Sequence, residues 1–147
     1  MVLNSIGKIA VACWNELPMH YLNVELDEFV VMPNHIHGIV RIMDNPVGAR
    51  HASPPQKQQN NLGDIVGSFK SAVTNRVNKI RNTPRTTIWQ RGYFEHVIRD
   101  DHSLDKIRDY IATNPQRWSM CAENDNRIGD EEPFRDSIGK PLRDLFL

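Results

Sequence analysis

The twenty residues Val24–Met43, VELDEFVVMPNHIHGIVRIM, decide the fold class. Val24 to Met32 is apolar and β-branched, the composition that suits a pleated, half-buried surface. Pro33-Asn34 is a turn signal, because proline presets φ and asparagine bonds its own backbone. His35 to Met43 then resumes a strand, so the spacing predicts an antiparallel hairpin. Upstream, residues 3–17 place Ile6, Ile9, Ala10, Cys13, Trp14 and Leu17 at helical spacing, with Pro18 as the expected stop. Downstream, residues 44–61 contain Pro46, Gly48, Pro54, Pro55 and a Gln/Asn run, which predicts a flexible loop.

Residues 62–80 return to helical spacing through Leu62, Ile65, Val66, Phe69, Val73, Val77 and Ile80, and Pro84 breaks the pattern. Trp89 to Arg99 reads as a strand, with Tyr93, Glu95 and Val97 alternating against Phe94, His96 and Ile98. Asp101 or Ser103 is the expected cap of a helix from about Leu104 to Asn114, and Pro115 its expected end. The polar stretch after Trp118 holds Gly129, Pro133, Gly139 and Pro141 and predicts weak structure. No internal repeat is visible. Strands on either side of a helical segment, without tandem alternation, predict an α+β fold with a small antiparallel sheet.

A length of 147 residues suits one domain with a real core, and 39% hydrophobic against 24% charged residues is ordinary for a globular chain. No apolar run approaches the roughly 18 residues that span a bilayer, so no membrane partner is expected. Met1 to Ala12 lacks the features of a signal peptide, which predicts a cytoplasmic protein. Cys13 and Cys121, far apart, indicate neither a disulfide framework nor a cysteine zinc site. Net charge is zero, but its distribution is uneven. Residues 66–99 carry seven bases (Lys70, Arg76, Lys79, Arg81, Arg85, Arg91 and Arg99) against Glu95 alone, a net +6. Residues 122–147 carry seven acids and four bases, a net −3. The basic middle can attract phosphate, although solvated helix faces are often basic too.

His35 and His37 are the sharpest chemical signal. On a strand, residues i and i+2 share a face, so two neutral imidazoles side by side suit one divalent cation. Ile36 and Ile39 fall on opposite faces, so the pair is not expected simply on the core side. Two packed or surface histidines would look the same in isolation. Tyr110 and Asn114 are four apart on a predicted helix and therefore share a face. A phenol is a poor nucleophile at its ordinary pKa of about 10. A cation polarising the phosphate under attack makes it a useful one, and an asparagine oxygen can complete the metal's shell. An amphipathic core tyrosine and a helix-ending asparagine are the plain alternative.

Tyr93 and Tyr21 are rival nucleophiles, but neither has an amide at i+4. Lys70, Arg76, Arg91 and Arg99 are candidate phosphate contacts, and Trp89, with Tyr93 and Phe94, a candidate base-stacking platform. Each taken singly is more readily structural than functional. Glu95 and His96 alternate faces and cannot both point at one site. The phosphate-loop, dinucleotide and HExxH patterns are missing from the sequence, so ATP use and metalloprotease chemistry have no support.

Taken together, Val30–Ile39 (VVMPNHIHGI), Ser68–Ser71 (SFKS), Ile88–Arg99 (IWQRGYFEHVIR) and Asp109–Pro115 (DYIATNP) resemble the REP-associated tyrosine transposases. These are single-tyrosine members of the HUH endonuclease superfamily. The order and spacing match over about residues 3–118. The resemblance implies a ferredoxin-like α+β nuclease fold with a central antiparallel sheet over residues 1–118, followed by an acidic tail at 119–147. It implies His35, His37 and Asn114 as ligands of Mg2+ or Mn2+, and Tyr110 as the nucleophile. The expected substrate is single-stranded DNA beside a hairpin of palindromic repeats. The tyrosine is expected to link to a 5′-phosphate and leave a 3′-hydroxyl that can attack another such link. In some relatives this helix works across a dimer, so a homodimer is a further expectation.

Family members generally have another strand and loop before the segment matching Met1, so the resemblance also implies a sheet without its first strand, leaving an open edge. That departure motivates an alternative from another class, a non-catalytic hairpin-DNA-binding protein. A relaxase or replication initiator shares the histidine pair, but such chains are usually larger and work with a helicase.

Overall fold

The computed structural model describes residues 2–43 and 61–118. The predicted loop at 44–61, apart from Asn61, and the predicted tail at 119–147 lie outside them. The elements run α1 (Ser5–Asn15), α2 (Leu17–His20), β1 (Val24–Val31), β2 (Ile36–Ile42), α3 (Leu62–Arg81) and α4 (Asp101–Arg117). The α+β expectation holds: β1 and β2 form a two-stranded antiparallel sheet on which helices pack. Among the described residues no helix is long and apolar enough to cross a membrane.

The residues group into two compact units, one of residues 2–3, 27–39 and 90–118, the other of 4–26, 40–43 and 61–89. The hairpin runs through both. In the second unit, the Asn4 side chain caps α1 by accepting from the Gly7 amide at 2.8 Å. α1 stops at Asn15, before Pro18, which corrects the expected end. Pro18 instead sits in the first turn of α2, where its missing N–H costs no helical bond. α3 opens on a capping box between Asn61 and Asp64 and closes on Asn82, left-handed at φ 52°.

α3 buries the middle of its predicted stripe: Ile65, Val66, Phe69, Val73 and Val77 are all below 5% exposed, whereas Leu62 is half-buried and Ile80, in the last turn, is 67% exposed. Trp14 of α1 meets Phe69 edge to face at 5.9 Å. Burying such side chains contributes about 1.5–3 kcal/mol each, which is what joins α1 to α3.

In the first unit the amide of Met32 donates to the His35 carbonyl at 2.8 Å, closing the chain around Pro33-Asn34. α4 packs on the hairpin through a cluster of Ile39, Ile107 and Ile111, flanked by Val30, Ile98, Leu104 and Tyr110. Asp100 is the α4 cap, accepting from the Ser103 amide at 2.8 Å, in place of the expected Asp101 or Ser103. The helix also runs past its expected end, with Pro115 inside it. Proline removes the bond to the Ile111 carbonyl, but that loss falls in the last turn and does not stop the chain turning.

The strand expected at 89–99 is not one. Residues 91–99 are irregular, and seven of the nine are exposed. Gly92 turns to φ 80°, outside strand geometry. Phe94 and Val97 stay 53% and 69% exposed, so the alternation buries no face that would fix a register.

Candidate active site

His35, His37 and Ile39 project from the same side of the hairpin, and Ile39 is part of the cluster beneath α4. The histidine pair thus lies on the side that α4 covers, while Ile36 on the opposite face is buried as well, 3% exposed. His37 is 1% exposed, while His35, just before β2 at the turn, is half-buried. Their Nε2 atoms are 3.0 Å apart and the rings meet edge to face at 4.7 Å.

α4 supplies the other partners. Ile107, Ile111 and Asn114 form its buried stripe, so a polar residue takes the position where periodicity calls for an apolar one. Asn114 is 4% exposed, and its side-chain amide lies 3.1 Å from Nε2 of His37. Tyr110, half-buried one turn earlier, sets its ring 5.5 Å from that of His37 at 76°. The four residues singled out from sequence therefore come together about His37: Nε2 of His35 and the Asn114 amide at its Nε2, and the Tyr110 ring against its ring. A buried amide without a partner costs about 1–3 kcal/mol, and among the described residues no buried side-chain polar atom lacks one.

This donor set fits a divalent cation. Two cis ligands at about 2.1 Å from an octahedral metal stand about 3.0 Å apart, which is the Nε2–Nε2 separation found. The Asn34 side-chain oxygen, 2.6 Å from Nδ1 of His35, can only accept, so Nδ1 carries the proton and Nε2 a lone pair. The two Nε2 atoms can share a hydrogen bond across 3.0 Å or turn their lone pairs toward one cation. Half a turn of the Asn114 amide would present its oxygen as a third donor. Among the described residues no three His, Cys, Asp or Glu side chains gather for a metal. The donors are thus neutral, and the cation's charge would be balanced by an anionic ligand such as a phosphodiester.

Three further side chains shape the site and were not singled out from sequence. Asn34 orients His35. Trp118 stands 5.8 Å from the His35 ring, one turn beyond Asn114, and the expected stop at Pro115 hid that spacing. Asp27 of β1 takes the Arg108 guanidinium in a two-pronged grip, Nε to Oδ1 at 2.9 Å and Nη2 to Oδ2, which holds Arg108 well above its ordinary pKa. That grip fixes the rotation of α4 two residues before Tyr110, and nothing in the sequence pairs residues 81 apart.

The candidate phosphate contacts fall in both units. Arg91 and Arg99 are exposed in the first unit. Lys70, Arg76 and Trp89 belong to the second. Arg76 is clamped by both carboxylate oxygens of Glu16, whose acidity it raises. Trp89 packs on Phe69 at 5.8 Å and donates its indole N–H to the Lys70 carbonyl at 3.0 Å. Lys70 holds its ammonium 5.8 Å over the Trp89 ring, and burial lowers its pKa. These three serve the fold. Lys79, Arg81 and Arg85 are exposed around the end of α3, with Arg85 held left-handed at φ 66°.

The chain is 40% identical to an uncharacterized Haemophilus influenzae protein over 128 residues, 82% of this chain and 70% of that one. It is 30% identical over 93 residues to a second Haemophilus influenzae protein, whose name places it provisionally among the REP-associated tyrosine transposases. That match covers 58% of this chain and 46% of the relative, so the chain spans about half of that protein's length. No family model and no solved structure matches.

Proposed function

The chain belongs to one family with the uncharacterized Haemophilus influenzae protein and is transposase-like in its second relative, and from that premise we propose that it is a metal-dependent single-strand DNA endonuclease and strand-transferase using Tyr110 as nucleophile. The observation that carries this is the convergence of His35, His37 and Asn114 with the Tyr110 ring. Hairpin DNA of palindromic repeats is the proposed substrate, since that is where the resemblance and the transposase-like relative point.

His35, His37 and Asn114 would hold Mg2+ or Mn2+. When bound, the cation supplies Lewis-acid stabilisation of the charge that develops on the phosphate oxygens. Imidazole donors suit Mn2+ better than Mg2+, which prefers oxygen. The Tyr110 oxygen attacks the scissile phosphorus and the bond to the 3′-oxygen breaks. The phenolic proton leaves Tyr110 and one proton ends on the released 3′-hydroxyl. The product is a 5′-phosphotyrosine link. One phosphodiester is exchanged for another, so a second 3′-hydroxyl can reverse the step and restore Tyr110 without ATP. Burial of His37 and Asn114 keeps water from that side of the phosphate.

The test is cleavage of labelled single-stranded DNA flanking a hairpin, with Mn2+ titrated in. Wild type is expected to nick it in a metal-dependent manner, and His35→Ala to lose the metal response. Salt-sensitive binding without nicking at any Mn2+ concentration would establish the non-catalytic alternative instead.

A further inference from the structure

We propose that Asn34 is a positioning residue that presets His35 for cation binding. The proposal rests on His35 as a ligand, but its physical content concerns the metal-free chain. Nδ1 of His35 lies 2.6 Å from the Asn34 side-chain oxygen, an atom with lone pairs and no proton to give. The bond therefore selects the Nδ1–H form of His35. Nε2 is left with its lone pair, 3.0 Å from Nε2 of His37. A neutral histidine has two nearly equal tautomers, and only one of them presents Nε2 to a cation. Asn34 removes the wrong one and fixes the ring's rotation at the same time.

The placement gives the turn a second task. Pro33-Asn34 closes the hairpin, with Met32 bonded to the His35 carbonyl at 2.8 Å. His35 lies at the end of the turn, outside the strand ladder and half-buried, whereas His37 is inside β2 and 1% exposed. His37 is held by packing and by Asn114. His35 meets the rings of His37 and Trp118, and the Asn34 oxygen meets its second nitrogen. Bonds to the second nitrogen of a metal-binding histidine commonly govern affinity in this way.

Two measurements on the full chain test the assignment. In the metal-free protein near pH 8.5, where histidines are neutral, two-bond 1H–15N correlations report each tautomer directly. Wild-type His35 is expected as Nδ1–H, and Asn34→Ala is expected to shift the balance by about fivefold toward Nε2–H, the worth of one exposed hydrogen bond. Mn2+ titration is expected to show Asn34→Ala binding about tenfold more weakly. Asn34→Asp keeps the accepting oxygen and should preserve both the tautomer and the affinity. Circular dichroism checks that each variant is folded. Should Asn34→Ala unfold, Asn34→Asp against Asn34→Ser, whose shorter arm cannot reach, makes the same comparison. An Nε2–H wild-type His35, or unchanged tautomer in a folded Asn34→Ala, overturns the proposal. Failure of wild type to bind Mn2+ at all would instead sink the proposed function, and the NMR result alone would then decide the role of Asn34.

Discussion

The buried His37–Asn114 pair should behave as a cost to the fold that only its function justifies. Both side chains are almost wholly buried, 1% and 4% exposed, and they face each other at 3.1 Å. His37→Leu strands the Asn114 amide in an apolar site, and Asn114→Val leaves His37 facing a methyl group. Each single change is expected to lower stability by about 1–3 kcal/mol, the desolvation penalty of an orphaned buried group. The double variant replaces both partners by apolar groups of similar volume and extends the Ile39, Ile107 and Ile111 cluster. Such replacements are often neutral or stabilising, so the double variant is expected within about 1 kcal/mol of wild type, or above it. His35 is half-buried, and its bond to Asn34 is untouched in all three. Urea unfolding of the four proteins provides the double-mutant cycle, read from the midpoints at a common slope. Single losses that simply add in the double variant would refute the reasoning, because the pair would then be a net stabiliser.

Ile111, 0% exposed at the centre of that cluster, should cost about 2–5 kcal/mol on substitution by alanine, measured by the same unfolding assay. Bonds from Ser103 hold the Asp100 carboxyl below its ordinary range, so its contribution to α4 is present above about pH 4 and is lost as pH falls through the folded value. Asparagine caps a helix as well but does not titrate there. Asp100→Asn should therefore flatten the loss of protection of the first α4 amides below about pH 4, measured by hydrogen exchange. If the exposed Lys79, Arg81 and Arg85 meet DNA, changing all three to glutamine should reduce the slope of log affinity against log salt by up to about 2 on single strands, and the Arg76 clamp predicts a smaller change for Arg76→Gln.

The hairpin and the three long helices were legible because apolar periodicity is a local property that survives into the fold. α3 buries the stripe that its sequence spells out from Ile65 to Val77, and Tyr110 and Asn114 come together because four residues make about one turn. Residues 91–99 misled because alternation reports an extended chain with two faces, whereas a strand also needs a partner ladder. Pro115 misled in the opposite direction. A proline in the last turn removes one bond yet leaves room for Trp118 to reach His35. Long-range pairing was invisible: nothing local ties Arg76 to Glu16 or Arg108 to Asp27, and those ties decide which bases remain for a ligand. The tautomer of His35 also depends on an atom-scale contact that residue types do not encode.

The central claim is that the phenolic oxygen of Tyr110 becomes bonded to DNA. Incubation of the full chain with Mn2+ and a single strand labelled on the 3′ side of a hairpin-flanked site, followed by denaturing electrophoresis and peptide mass spectrometry, tests it directly. A covalent adduct is expected, its added mass mapping to the peptide that contains Tyr110, and it should disappear in Tyr110→Phe. An adduct on Tyr21 or Tyr93, or one that persists in Tyr110→Phe, would contradict it.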